Sequence, residues 1–164
     1  MKQQKLEVRL ARRGDEPALA AMMLELWPDE GRAAFFDKPV GALTRHVNGG
    51  PKGFLAVALV AGERVGFVSV GIRPWSEAGG EAPIPHVEGW FVARRSRRRG
   101  VGRALLRFAE AWSREKGFRF LSSDTWSHNR RSVRAHQAAG FRVTERIVYL
   151  LKKLPLLPRR RGLG

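Results

Sequence analysis

Arg97-Arg98-Arg99-Gly100-Val101-Gly102 is the segment of this 164-residue chain whose residue types point most directly to a chemistry. It lies between a strand-like run and an amphipathic run. The free N–H groups in the first turn of a helix bind anions, and the helix dipole adds to that attraction. Gly100 and Gly102 let the backbone come close to a pyrophosphate. Arginines at the rim, Arg103 included, can pair with further phosphate oxygens. The segment lacks the Gly-Lys-Ser/Thr end of a Walker loop and does not match the dinucleotide-binding spacing. The plainer reading is a basic turn that merely starts a helix.

A second set of candidates is acidic. After Trp90 the chain carries only Glu110, Glu115, Asp124 and Glu145 as acids. Glu110 stands four residues before Arg114, the spacing of a helix-surface ion pair, and Glu115 falls in the same exposed band. Asp124 and Glu145 fall instead at predicted strand ends. With Glu88 they can bind a cation or accept a proton from an amine. Each has an alternative: Glu88 as a structural strand carboxylate, Asp124 as a turn or cap residue before Asn129, Glu145 as the partner of Arg146 or Arg142. Trp27 is either a flat binding surface or plain core.

The charge is lopsided. The formal net charge is +16, yet residues 1–90 hold 11 basic and 11 acidic side chains, so the whole excess falls in residues 91–164. That half should meet an anion: a nucleic acid, a membrane surface or a phosphorylated ligand. Most of its arginines gather in one turn, one helix (Arg130, Arg131, Arg134) and the tail, without the basic–aromatic interleaving of single-strand binders. No cysteine is present, which excludes disulfides, thiolate metal sites and a cysteine nucleophile. No metal is expected. The start has no apolar stretch of signal-peptide length, and the longest apolar run, Phe54 to Ala61, is too short to span a bilayer. A cytoplasmic protein without membrane attachment is expected.

Residues 1–154 read as one α/β domain and residues 155–164 as a flexible basic tail. Leu6–Leu10 reads as a strand. Asp15 to Leu26 reads as a helix with Asp15 at its N-cap and Pro17 in its first turn. A short helix is expected over Val40–Val47. Phe54–Ala61 and Arg64–Ile72 form a hairpin, and Pro74–Pro85 a loop of the length that often carries function. His86–Val92 reads as a strand. Val101, Ala104, Leu105, Phe108, Ala109 and Trp112 recur at helical spacing up to Gly117. Phe118–Ser123 reads as a strand, Asn129–Ala139 as a helix capped by Gly140, and Phe141–Lys153 as a long closing strand or bent strand pair, which completes the order βα(α)βββαβαβ.

The basic turn, Asn129 with Ser132, and Gly140-Phe141, in that order, resemble the signature of the GNAT superfamily of acetyl-CoA-dependent N-acetyltransferases over residues 86–153. Leu26-Trp27-Pro28, Val87-Glu88-Gly89-Trp90-Phe91-Val92, Ser123-Asp124-Thr125 and Thr144-Glu145-Arg146 are similar to the aminoglycoside 6′-N-acetyltransferases within it. The resemblance implies a mixed, V-shaped sheet flanked by helices, and acetyl-CoA as co-substrate. Arg97, Arg98, Arg99, Gly100, Val101, Gly102, Arg103, Asn129 and Ser132 would bind it. The main chain of Trp90, Phe91 and Val92 would line its pantetheine arm, and the Val92 N–H would polarise the thioester carbonyl.

By the same resemblance, Trp27, Glu88, Asp124 and Glu145 would bind the aminoglycoside. A further contact falls near Trp75 or Ser76, in a loop where the family often has a tyrosine and this chain has none. Acetyl would pass directly to the 6′-amine, with Glu88 or Asp124 taking the amine proton directly or through water, or else only orienting the ammonium groups with water as base. His136, at a position where many members carry tyrosine, would serve as acid, or else simply pack in its helix. The family implies a homodimer, with C-terminal strands exchanged. The rival readings are an acetyltransferase for another cationic amine (a polyamine, peptide or protein amine), a nucleic-acid binder, and an acetyl-CoA sensor.

Overall fold

A computed structural model describes residues 5–28 and 53–154 of the chain. The expected helix over Val40–Val47 and the basic tail lie outside the described residues. The elements are β1 (Leu6–Leu10), α1 (Glu16–Leu26), β2 (Gly53–Val60), β3 (Glu63–Arg73), β4 (Ile84–Val92), a 3₁₀ turn (Arg94–Ser96), α2 (Val101–Glu115), β5 (Ser122–Ser123) and α3 (Arg130–Ala138). The sheet runs β1-β2-β3-β4-β5. The first four strands are antiparallel neighbours, and β5 joins β4 in parallel, as the mixed sheet expected.

β2 is apolar on both sides because both faces of the sheet are covered. Phe54, Ala56 and Ala58 pack with Val68, Val70 and Val87 against Val101, Leu105, Leu106 and Ala109 of α2. Leu55, Val57 and Leu59 pack with Phe67 and Phe91 against Leu19, Met22 and Met23 of α1. The helical spacing read from Val101 to Trp112 is therefore the stripe that α2 buries.

Asp15 does precede α1, yet its side chain makes no cap. It is fully buried and accepts hydrogen bonds from Arg9 (2.7 and 3.0 Å), Arg64 Nε (3.0 Å) and the Arg12 N–H (2.9 Å). Burial pushes its carboxyl pKa up, but these donors together outweigh burial and hold it well below the ordinary range.

Two expectations change. The strand expected over Phe118–Ser123 shortens to Ser122–Ser123, because only those two residues pair with β4. The closing strand expected over Phe141–Lys153 does not form: residues 141–154 carry no strand or helix. Val143, Ile147, Val148, Tyr149, Leu150 and Leu151 are exposed there. Alternating side chains make a segment suited to a sheet, but a strand also needs a partner for its N–H and C=O groups. Among the described residues this segment pairs with no strand.

Candidate active site

The site begins at the short contact between β4 and β5. Their pairing is confined to His86–Ser122 and Val87–Ser123, so from Glu88 to Val92 the edge of β4 facing away from β3 meets no strand among the described residues. The Ala93 N–H bonds Val65 O across to β3. By strand alternation, Val92 turns its N–H and C=O the other way, into the open splay. Its carbonyl accepts from Arg97 Nε at 2.8 Å. Trp90 and the Val92 N–H thus face the open edge, as an extended arm lying alongside would require, whereas Phe91 by the same alternation faces β3 opposite Phe67.

One end of the splay is cationic. Gly100 is the residue before α2 and adopts φ +83°, a left-handed conformation that glycine takes at little cost. Arg98 is also left-handed at φ +59°. Arg98, Arg99 and Arg103 are exposed and form no ion pair among the described residues. These side chains and the first-turn N–H groups of α2 can hold a pyrophosphate. Arg97 is used differently: besides bonding Val92 O, its guanidinium sits 5.9 Å from the centre of the Phe91 ring.

Gly102 is required for packing. A Cβ there would lie 2.9 Å from the Trp90 ring. The ring also meets His136 edge-on at 5.1 Å. Gly102→Ala is therefore expected to cost about 1–3 kcal/mol through overpacking. Thermal unfolding should show that loss, and calorimetry should show weaker acetyl-CoA binding as Trp90 shifts the splay. Gly102→Asp should be worse on both counts, adding bulk and a like charge to the phosphate end.

Asn129 Oδ1 accepts from Ser132 N at 3.2 Å, so this signature pair is the N-cap of α3. His136 lies one turn further on. Its Nδ1–H donates to Ser132 O at 2.8 Å, which leaves Nε2 to accept from Ser123 Oγ at 3.0 Å.

The other end of the splay is acidic. Ser69 pairs with Gly89 and Val70 with Val87, so Glu88 is the extra residue of a β-bulge. Bulges re-aim side chains. Glu88 lies across Gly71, where a Cβ would stand 2.9 Å from its Oε1. Trp27, half-buried, packs on Phe67 and lies over Gly89, where a Cβ would come within 2.6 Å of its ring. Trp27 is thus both a core contact and a neighbour of Glu88.

Arg73, which sequence reasoning missed, joins two of the expected carboxylates. Its Nε and Nη2 meet Glu88 at 3.0 and 2.6 Å, and its Nη1 meets Asp124 at 3.4 Å. Glu88, then Asp124, holds the Arg73 pKa above its usual value against partial burial. His86, also missed, is buried; its Nδ1 bonds Ser122 Oγ at 2.9 Å. Its Nε2 stands 3.3 Å from Asp124 Oδ2, at ion-pair distance but without hydrogen-bond alignment. His86, and then Arg73, lowers the Asp124 pKa against burial. A signal for His86 was available: it precedes Glu88 by two residues on one strand.

A cavity of about 930 Å³ opens beside this cluster. Arg73, Ser76, His86, Asp124, His136 and Glu145 line it, whereas Glu88, Trp27 and Trp75 do not. Trp75 is 62% exposed. Glu145 pairs with neither Arg142 nor Arg146 by side chain and instead accepts from the Arg146 backbone N–H at 3.1 Å. No group of metal-ligating residues occurs among the described residues. None of their helices is long and apolar enough to cross a membrane.

The family model "Acetyltransferase (GNAT) family" matches residues 18–141. Over 152 residues, 92% of this chain and 94% of the relative, the sequence is 37% identical to the aminoglycoside N(6′)-acetyltransferase type 1 of Stenotrophomonas maltophilia. It is 36% identical over 138 residues to the protein of that name from Klebsiella aerogenes, covering 82% of this chain and 88% of that one. The fold superposes with a TM-score of 0.80 on AAC(6′)-Iy in complex with the bisubstrate analog CoA-S-monomethyl-acetylneamine, at 26% identity, covering 92% of this chain and 99% of the other.

Proposed function

The chain belongs to the GNAT acetyltransferase family, and we propose that it transfers the acetyl group of acetyl-CoA directly to the 6′-amino group of aminoglycosides. The observation that carries this reading is the placement of unpaired arginines and paired carboxylates on either side of one open strand edge. The cations suit the phosphates of the co-substrate, and the carboxylates suit a polycationic acceptor. Relatives similar over nearly the whole chain, named as aminoglycoside N(6′)-acetyltransferases, support the substrate class.

Acetyl-CoA brings the thioester. Arg98, Arg99, Arg103 and the α2 N-terminus bind its phosphates, and the Trp90–Val92 edge aligns its arm. The Val92 N–H supplies a donor where negative charge grows on the carbonyl oxygen. An alkyl ammonium has a pKa of about 10, so the acceptor must lose a proton first. Glu88 and Asp124 hold it and one of the two takes that proton, with Glu145 and Ser76 contributing from the cavity wall. Aligning amine and thioester can itself supply about 7–11 kcal/mol.

Acting as acid, His136 gives an Nε2 proton to Ser123 Oγ as the Ser123 hydroxyl proton passes to the departing thiolate. His136→Ala is then expected to lower kcat roughly tenfold with KM for acetyl-CoA unchanged. An unchanged kcat would make it a packing residue of α3.

The reading places the enzyme in the cytoplasm and as a homodimer, in which residues 141–154 pair with a second copy and cover their apolar side chains. The substrate is tested by following CoA release with a 6′-amino aminoglycoside, its 6′-hydroxyl counterpart and a lysine peptide. Turnover is expected with the first alone. Acetylation of the peptide instead would assign the site to another cationic amine.

A further inference from the structure

We propose that Arg73 is a specificity-determining residue: an internal cation that holds the acceptor's ammonium seat and that a polycation displaces more readily than a monoamine. The inference rests on the substrate reading above and deepens it. Arg73 is the last residue of β3, and its guanidinium engages Glu88 through two nitrogens and Asp124 through the third. A planar fork against a carboxylate is among the stronger pairings available to a side chain. Any amine that uses these carboxylates must therefore displace or share them with Arg73.

Each carboxylate has a neighbour besides Arg73. Glu88 is set by the β-bulge and lies against the backbone of Gly71. Asp124 has buried His86 beside it, and that ring is anchored on Ser122. Arg73, by contrast, keeps a third of its side chain exposed, and the segment beyond Pro74 leaves the sheet, so the guanidinium has a way out. This arrangement makes Arg73 a removable occupant and not a scaffold. A monoamine offers one charge in exchange for the fork. A polycation brings further ammonium groups, for which Glu145 also lines the cavity. Discrimination then comes from a repulsive element built into the site, as specificity often does.

The test compares wild type, Arg73→Gln and Arg73→Lys with two acceptors, a 6′-amino aminoglycoside and 6-amino-6-deoxyglucose, which carries one ammonium. KM for acetyl-CoA and the unfolding temperature report on integrity. In Arg73→Gln the monoamine KM should fall, and the ratio of kcat/KM between polycation and monoamine should drop roughly tenfold. Arg73→Lys keeps the charge and should retain most of the wild-type ratio, including where the glutamine variant folds poorly. If Arg73→Gln lowers kcat/KM for both acceptors in parallel, Arg73 only positions Glu88 and the inference is wrong, while the substrate reading stands. If wild type fails to acetylate the aminoglycoside, both fall together.

Discussion

Glu88→Gln is expected to lower kcat/KM for a 6′-amino aminoglycoside by about 10²-fold, or ~2.7 kcal/mol of transition-state stabilisation. The substitution keeps the shape and removes the charge. It also removes a group that can accept the proton an ammonium must lose. The loss should appear in kcat as well as KM, because a carboxylate that only bound the acceptor would raise KM alone. KM for acetyl-CoA should not move, since the phosphates bind at the far end of the splay. Arg73 keeps its 3.4 Å contact with Asp124, so the variant should still fold. A change within about threefold, only ~0.65 kcal/mol, would take Glu88 out of the chemistry. The role would then pass to Asp124 or to water.

What the sequence made legible was local. The stripe on α2, the hairpin through Ala61-Gly62 and the basic turn all follow from neighbours within a few residues, where periodicity and turn chemistry act directly. The candidate carboxylates came from the resemblance and from scarcity, since an acid in a strongly basic half needs a reason. Arg73 was not legible, because its partners lie 15 and 51 residues away and meet it only through the sheet. The aim of Glu88 was hidden too: a one-residue bulge depends on the register of two strands, and either strand alone reads as plain alternation. Residues 141–154 misled for a related reason. Their pattern asks for a sheet, but pairing belongs to the partner edge as much as to the segment.

Asp15 gives the clearest contrast between a local signal and a tertiary outcome, and from it follows the largest expected loss of stability. An aspartate just before Pro-containing helix α1 reads as a cap, whose loss would cost about 1 kcal/mol. Its side chain instead ties β1 to β3, with Arg9 and Arg64 both bound to one carboxylate that has no solvent exposure. Removing one partner of a buried ion pair strands the other charge, and typical losses are about 3–5 kcal/mol. Asp15→Ala should therefore unfold several-fold further down a urea titration than a cap mutation would. The sign with pH follows from the lowered pKa. Asp15 stabilises the fold fully above the ordinary carboxylate pKa of about 4, and this contribution drains away as pH falls below it. The gap in stability between wild type and Asp15→Ala should be widest near neutrality and narrow towards pH 3. A gap that stays small at every pH would return Asp15 to the role of a cap.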